Sequence, residues 1–147
     1  MSARILIVDD HEIVRSGLRR LVELQSGWEV CGEAVNGKEA IEKALALNPE
    51  LVLMDISMPV MSGIEAARQI RRLSPVTKIV IVSLHDDESI TEEAKNAGAD
   101  AYVVKACPSE ILLKTIACVL GKANGMPAAP ALHTPRQAIL RIKPSDN

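Results

Sequence analysis

Phenylalanine is absent from this chain of 147 residues, which has one tryptophan and one tyrosine. Hydrophobic residues still make up 48% of it. Any core is therefore aliphatic, which suits alternating strands and helices. Long apolar runs are also missing. The stretch over 5–8 is too short for a membrane span or a leader peptide and stops at two aspartates. The reading is a cytoplasmic chain with no membrane partner. Only three cysteines occur, at 31, 107 and 118. They are odd in number, lack metal spacing and lie among apolar neighbours, so they read as buried thiols in a reducing compartment. No glycine-rich fingerprint follows the first apolar run, which excludes dinucleotide binding. The net charge of −2 is unevenly spread. Residues 1–121 hold 13 basic and 18 acidic groups, and residues 122–147 hold 4 basic and 1 acidic. The positive tail fits either a separate partner, nucleic acid included, or an ordinary solvated end.

What is present is a regular alternation of strand and helix patterns. The run over 4–8 is near-continuous, β-branched and apolar, as in a strand buried on both faces, and Asp9 and Asp10 stand at its carboxyl end. Over 11–25, Ile13, Val14, Leu18, Leu21 and Val22 recur at helical spacing. Asp10 is placed to cap that helix, and Ile13, Val14 and Leu18 read mainly as core. Residues 28–35 predict a weaker edge strand, Asn36-Gly37 a turn, and 38–47 a small amphipathic helix ended by Asn48-Pro49. The strand over 51–54 ends on Asp55, and a helix over 63–73 follows. The strand over 78–83 ends on Ser83, and a polar helix occupies 87–96. A fifth strand over 101–105 ends on Lys105, and a fifth helix runs over 108–120, opened by Pro108 and stopped by Gly121. Five strands alternating with five helices predict one doubly wound parallel sheet, an α/β fold.

The carboxyl ends of four strands thus carry Asp9-Asp10, Asp55, Ser83 and Lys105, at the edge where open α/β sheets bind ligands. Capping accounts for one acid there, not for three acids, a hydroxyl and an ammonium together. Three carboxylates held close repel one another by roughly several kcal/mol unless a cation joins them. A hard cation such as Mg²⁺ takes one or two carboxylates, keeps several waters and shares a phosphate. Ser83 and Lys105 offer a donor and a positive charge suited to phosphoryl oxygens. The set holds no general-base histidine, and phosphoryl transfer needs none. Asp55 then reads as a carboxylate nucleophile that becomes a phospho-aspartate.

The residues Ile5-Leu6-Ile7-Val8-Asp9-Asp10-His11, the stretch from Leu53 to Gly63, Ser83, and Gly98-Ala99-Asp100-Ala101-Tyr102-Val103-Val104-Lys105 resemble the response-regulator receiver domain of two-component systems. The match covers 4 to about 121, and Lys105-Ala106-Cys107-Pro108 resembles the NarL/LuxR-type subfamily. The resemblance implies the flavodoxin-like (CheY-like) fold, five parallel strands in order 2-1-3-4-5 with five helices, over residues 1–121. It implies that Asp55 accepts a phosphoryl group from a sensor histidine kinase or a small donor such as acetyl phosphate. Asp10, Asp55 and the Ser57 backbone carbonyl would hold Mg²⁺, with Asp9 assisting through water. Ser83 and Lys105 would bind the phosphoryl group. Tyr102 would be the switch aromatic, turning inward as Ser83 moves, so that the face of helix 4, strand 5 and helix 5 rearranges. The chain would catalyse only its own phosphorylation and dephosphorylation, and a phosphorylation-dependent homodimer is compatible with the family. Ile13, Val14 and Leu18 would have kinase docking as a lesser role. Met58, Met61 and Leu84 read mostly as packing. His11 and His85 lack the spacing of a metal-ligand cluster, but both border the site and are placed to influence phosphoryl lifetime by shaping water access. Proline does not directly follow Lys105, which leaves the Lys105-Ala106 peptide geometry open.

Beyond Gly121, residues 125–131 read as a linker. Residues 132–141 resemble the opening of a LuxR-type helix-turn-helix, with Thr134 as cap and Pro135 at the first helical position. The expectation for 122–147 is a largely disordered segment with a marginal helix over 135–142, incomplete as a DNA reader because the recognition helix is not there. Two outputs follow. Either the parent protein is a transcriptional regulator that binds DNA through a complete helix-turn-helix, or this is a stand-alone receiver acting by protein contacts. A dehalogenase-like phosphatase is disfavoured because position 57, where it would carry a second aspartate, is serine.

Overall fold

In the computed structural model, which describes residues 2–121, the apolar runs form strands whose alternate residues face two different layers of helices. The elements are β1 (Ala3–Val8), α1 (Glu12–Glu23), β2 (Trp28–Ala34), α2 (Gly37–Leu47), β3 (Leu51–Met54), α3 (Gly63–Leu73), β4 (Lys78–Ser83), α4 (Glu88–Asn96), β5 (Ala101–Val104) and α5 (Ser109–Leu120). The strands pair in parallel in the order β2-β1-β3-β4-β5. Ile5, Ile7, Leu51, Leu53, Val80, Val82 and Val103 pack with Val22 of α1 and with Leu112 and Ile116 of α5. The residues between them, Leu6, Val8, Val52, Met54, Ile79, Ile81 and Tyr102, pack with α2, α3 and α4 through Ala40, Ala44, Ile64, Ile70 and Ala94. Both faces are apolar, so the central strands read as continuous runs rather than alternating ones. Each fully buried isoleucine or leucine contributes about 1.5–3 kcal/mol to that core.

Two of the helices begin on side-chain caps. Asn36 accepts from the backbone N–H of Glu39 at 2.8 Å, while Glu39 Oε1 accepts from the Val35 N–H at 2.7 Å. Ser62 accepts from Glu65 N at 3.2 Å. Asn48 ends α2 in the left-handed region at φ 49°, and Gly121 ends α5 at φ 72°. The edge strand β2 holds an irregularity against β1, where Ile5 pairs with Val30 and Leu6 with Gly32, leaving Cys31 unmatched. At the other end of this pairing, Trp28 stands opposite Ala3. Arg71 ties the end of α3 to the start of β5. Its guanidinium donates to the carbonyls of Gly98, Pro75 and Thr77 and to Asp100 Oδ2.

Three expectations change in detail, and one open point is settled. Asp10 does not cap α1: the capping position is His11, without a side-chain hydrogen bond, and the Asp10 carboxylate is left for other partners. Ile13 is not core but 85% exposed, in the first turn of α1. Leu18 does pack on the core, and Val14 is half-buried. Leu84 is not packing either. It is 74% exposed, one residue past the last β4–β5 pair at Ser83 and Val104. Met58 and Met61 do pack against the core. The Lys105-Ala106 bond is trans, since no cis peptide occurs among the described residues. Residues 122–147 lie outside the described residues, and with them the expected linker and helix.

Val60, in the loop between β3 and α3, has φ 71° and an exposed side chain. A β-branched residue in the left-handed region is strained by about 1–2 kcal/mol. Val60→Gly should therefore stabilise the fold by about 1 kcal/mol, after the added chain entropy of glycine is subtracted. Urea unfolding at constant m-value measures this. A loss of stability would show that the valine methyls make contacts worth more than the strain.

Candidate functional site

Strand register builds the site. Val8 of β1 pairs with Met54 of β3, so the next residues, Asp9 and Asp55, come side by side, and Asp55 N donates to the Val8 carbonyl at 3.0 Å. Ser83 of β4 pairs with Val104 of β5, and Lys105 N donates to the Ser83 carbonyl at 2.7 Å. The topology thus brings residues from four strand ends to one edge.

Asp9 is 1% exposed and doubly held. Its Oδ2 accepts from Lys105 Nζ at 2.8 Å, and its Oδ1 accepts from the His11 backbone N–H at 2.9 Å. Lys105 Nζ also lies 3.4 Å from Asp55 Oδ1. The ammonium therefore sits between two buried carboxylates. Burial alone would push the Lys105 pKa down, but the Asp9 hydrogen bond and the charges of Asp55 and Asp9 outweigh it and carry the pKa up. Asp55 shows the complementary effect. Burial and then the Asp9 charge push its carboxyl above the usual value, with Lys105 opposing them.

Asp10 is half-buried, and its Oδ1 is closed off from solvent without accepting a hydrogen bond among the described residues. The His11 imidazole Nδ1 is 3.3 Å from Asp10 Oδ1 and 3.3 Å from Asp9 Oδ1. One ligand atom from each of Asp9, Asp10, His11 and Asp55 falls within 4.8 Å of the others. Three carboxylates with a single ammonium among them leave uncompensated negative charge, and the donor set fits a divalent cation. Arg15 braces the floor of the site from α1, with one nitrogen donating to the Asp9 carbonyl at 2.8 Å and another to Glu33 at 2.9 Å.

On the other side, Ser83 is fully buried and its Oγ accepts from the His85 backbone N–H at 3.1 Å. The His85 carbonyl accepts from the Tyr102 hydroxyl at 2.7 Å, and its ring Nε2 is 3.2 Å from Ser57 Oγ. His85 is therefore the bridge between the serine, the tyrosine and the loop after Asp55. Its place two residues past Ser83 marks it in the sequence only as a neighbour; the loop-to-loop contacts that give it this role leave no sequence pattern. The Tyr102 ring is buried within the core. Burial pushes its phenol up to about 12, against a smaller opposing effect of a hydrogen bond with Ser83. The ring thus already occupies the inward position. Of the residues singled out in the sequence, Asp9, Asp10, His11, Asp55 and Lys105 form one cluster, while Ser57, Ser83 and Tyr102 meet through His85. Arg15 was not singled out.

The half-buried cysteines at 31, 107 and 118 form no disulfide among the described residues, and burial pushes each thiol up, away from thiolate reactivity. Among the described residues no helix is long and apolar enough to cross a membrane.

The sequence model of one family, described as the response regulator receiver domain, matches residues 5–117. Transcriptional regulatory protein DegU of Brevibacillus brevis is 34% identical over 116 residues, which is 79% of this chain and 49% of DegU. Chemotaxis protein CheY of Thermotoga maritima is 43% identical over 105 residues, 71% of this chain and 87% of CheY. Among solved structures, a LuxR-family two-component response regulator from Aurantimonas sp. SI85-9A1 superposes with a TM-score of 0.79 at 38% identity, covering 82% of this chain and 86% of that one. The chain spans about half the length of the DegU-type transcriptional regulators it matches and most of CheY.

Proposed function

Because the chain belongs to the response regulator receiver domain family of two-component systems, of the kind found in NarL/LuxR-type transcriptional regulators, we propose that residues 1–121 form a phosphoacceptor domain whose nucleophile is Asp55. The observation that carries this is the placement of the Asp55 carboxylate. It is buried, raised in pKa, 3.4 Å from the Lys105 ammonium and beside two further acids. A sensor histidine kinase supplies the phosphoryl group. An Asp55 oxygen attacks phosphorus, the P–O bond forms as the P–N bond of the donor phosphohistidine breaks, and the freed imidazole nitrogen leaves with the donor. Asp10, Asp55 and the Ser57 carbonyl would hold Mg²⁺, with Asp9 assisting through water. When bound, the ion neutralises charge shared by the carboxylates and the transferring group. The chain acts on its own aspartate and not on an external substrate.

Lys105, held by Asp9 before transfer, exchanges part of that contact for the new phosphoryl oxygens. Ser83 releases the His85 N–H to donate to the same group. The added charge of about −1.5 to −2 favours the state with both contacts made. Because the Tyr102 ring is already inward, phosphorylation on this reading secures an existing arrangement of β4, α4, β5 and α5 rather than creating a new one. Output to DNA belongs to the parent protein, through a helix-turn-helix; a stand-alone receiver acting by protein contacts is the second reading, and the likeness to CheY favours it. Binding assays at varied salt separate the two. Specific, salt-sensitive DNA binding by this chain would overturn both the division of labour and the boundary near residue 121.

His85 supplies a kinetic prediction. Its ring lies 3.2 Å from Ser57 Oγ, two residues past Asp55, and on this reading shields one approach to the aspartate. His85→Ala should open that approach and raise the dephosphorylation rate about three- to tenfold, up to roughly 1.4 kcal/mol in barrier. Intact-mass decay of the adduct reads this, and an unchanged rate would remove His85 from the control of water access.

A further inference from the structure

We propose that His11 converts the acidic pocket into a nitrogen-containing site for late first-row divalent ions of the Zn²⁺ class, and that such an ion holds the receiver in an unphosphorylatable state. The inference deepens the reading of this pocket as a divalent-cation site and rests on it.

Oxygen-only sets suit Mg²⁺, which demands near-octahedral geometry and keeps its waters; an imidazole ligand shifts preference toward Zn²⁺, Co²⁺, Ni²⁺ and Cu²⁺. Three observations place His11 in the ligand set. The first is distance. Bonds of about 2.0–2.1 Å in tetrahedral geometry set neighbouring ligand atoms about 3.3–3.4 Å apart, and His11 Nδ1 is 3.3 Å from Asp9 Oδ1 and from Asp10 Oδ1. The second is an orphan. Asp10 Oδ1 is shut off from solvent and accepts no hydrogen bond among the described residues, yet faces the imidazole. The third is what holds the far side of the set. Lys105 Nζ takes the other oxygen of Asp9, at 2.8 Å, which fixes Oδ1 toward His11 as a hydrogen-bonded partner fixes a metal ligand. The backbone helps as well. His11 sits at the capping position of α1 with extended φ and ψ and no side-chain cap, and its ring Nδ1 is turned toward the Asp9 carboxylate, 3.3 Å from Oδ1.

An ion held by Asp10, His11, Asp9 and Asp55 engages the carboxylate that must attack phosphorus. It also has fewer open positions than an octahedral Mg²⁺ for a phosphoryl oxygen. The late metal therefore competes with Mg²⁺ and lowers the rate of phosphoryl transfer.

The test titrates Zn²⁺, Co²⁺ and Mg²⁺ into the metal-free chain and into His11→Ala and His11→Gln. Calorimetry gives affinities and visible absorption reports the Co²⁺ ligand field. The expected result is a loss of about tenfold or more in Zn²⁺ and Co²⁺ affinity in both variants, a weaker Co²⁺ band, and Mg²⁺ affinity within about twofold of the parent chain. On the intact chain, Zn²⁺ should also move the ¹⁵N resonance of His11 Nδ1, which needs no variant to fold. An unmoved resonance, or equal losses for all three ions, would overturn the proposal. Zn²⁺ binding that depends on His11 in a chain that takes up neither Mg²⁺ nor a phosphoryl group would sustain the inference and sink the phosphoacceptor reading instead.

Discussion

Asp55→Asn should remove the phosphoryl adduct completely, a fall of more than about 100-fold, and at neutral pH without divalent cation it should also make the folded chain more stable. The first effect follows from the chemistry: an amide oxygen at position 55 is not a nucleophile, and Asp9 is locked by Lys105 and the His11 N–H. The second follows from charge. Burial and the Asp9 charge raise the folded-state pKa of Asp55 above its ordinary 3.8. Between that value and the folded one, the native state binds more protons than the unfolded state, so stability falls as pH rises through the window. The cost is fully present above the folded pKa and absent below 3.8, where both states are protonated. Asparagine removes it, a gain on the order of 1 kcal/mol. The difference between variant and parent should vanish on acidification and shrink when Mg²⁺ is added. Intact mass after acetyl phosphate and Mg²⁺, with urea unfolding across pH, measures both. An adduct that survives would mean another nucleophile, and a variant that is less stable at neutral pH would mean the Lys105 attraction outweighs burial.

Gly63→Ala should be among the most damaging single substitutions in the chain. A β-carbon at 63 would overlap the carbonyl oxygen of Asp55, stand 2.9 Å from its carbonyl carbon and lie 3.1 Å from the Ile56 α-carbon. These are backbone atoms at the tip of β3, so no side chain can swing aside. The Gly63 N–H also donates to the Ile56 carbonyl at 2.9 Å, which holds the first residue of α3 against this loop. The added methyl must move α3 away from the sheet or move Asp55. We expect a loss of about 3 kcal/mol or more, together with slower adduct formation in whatever fraction folds. Gly63→Ser should behave alike. A loss below about 1 kcal/mol would show that loop and helix separate freely.

The regular parts of this structure were legible because each rule acts locally. Continuous apolar runs placed β3 and β4 to the residue, and Asn48-Pro49 and Gly121 marked helix ends. The convergence at the site was legible for a topological reason: in a parallel sheet every carboxyl end lies on the same edge. What did not show was set by contacts between loops. Helical spacing placed Ile13 with Leu18 and Leu21, but spacing says nothing about where the sheet beneath a helix stops. Leu84 continues an apolar run, yet pairing ends at Ser83. That Lys105 hydrogen-bonds Asp9, with Asp55 at 3.4 Å, depends on sub-ångström placement of three strand ends. The bridging role of His85 spans 28 residues to Ser57 through its ring, and its contacts with Ser83 and Tyr102 use its backbone, which carries no residue identity at all.

The lone indole offers an optical consequence. Trp28 stands at the amino-terminal end of β2 and packs with the layer under α1 and α5. Six steps along that strand put it about 20 Å from the ligand-binding edge. Its emission should follow the collapse of that layer and stay dark to cations or phosphate. The quantum yield of this one fluorophore then gives a folding baseline that ligands do not contaminate, against which every titration of the distant pocket can be referenced.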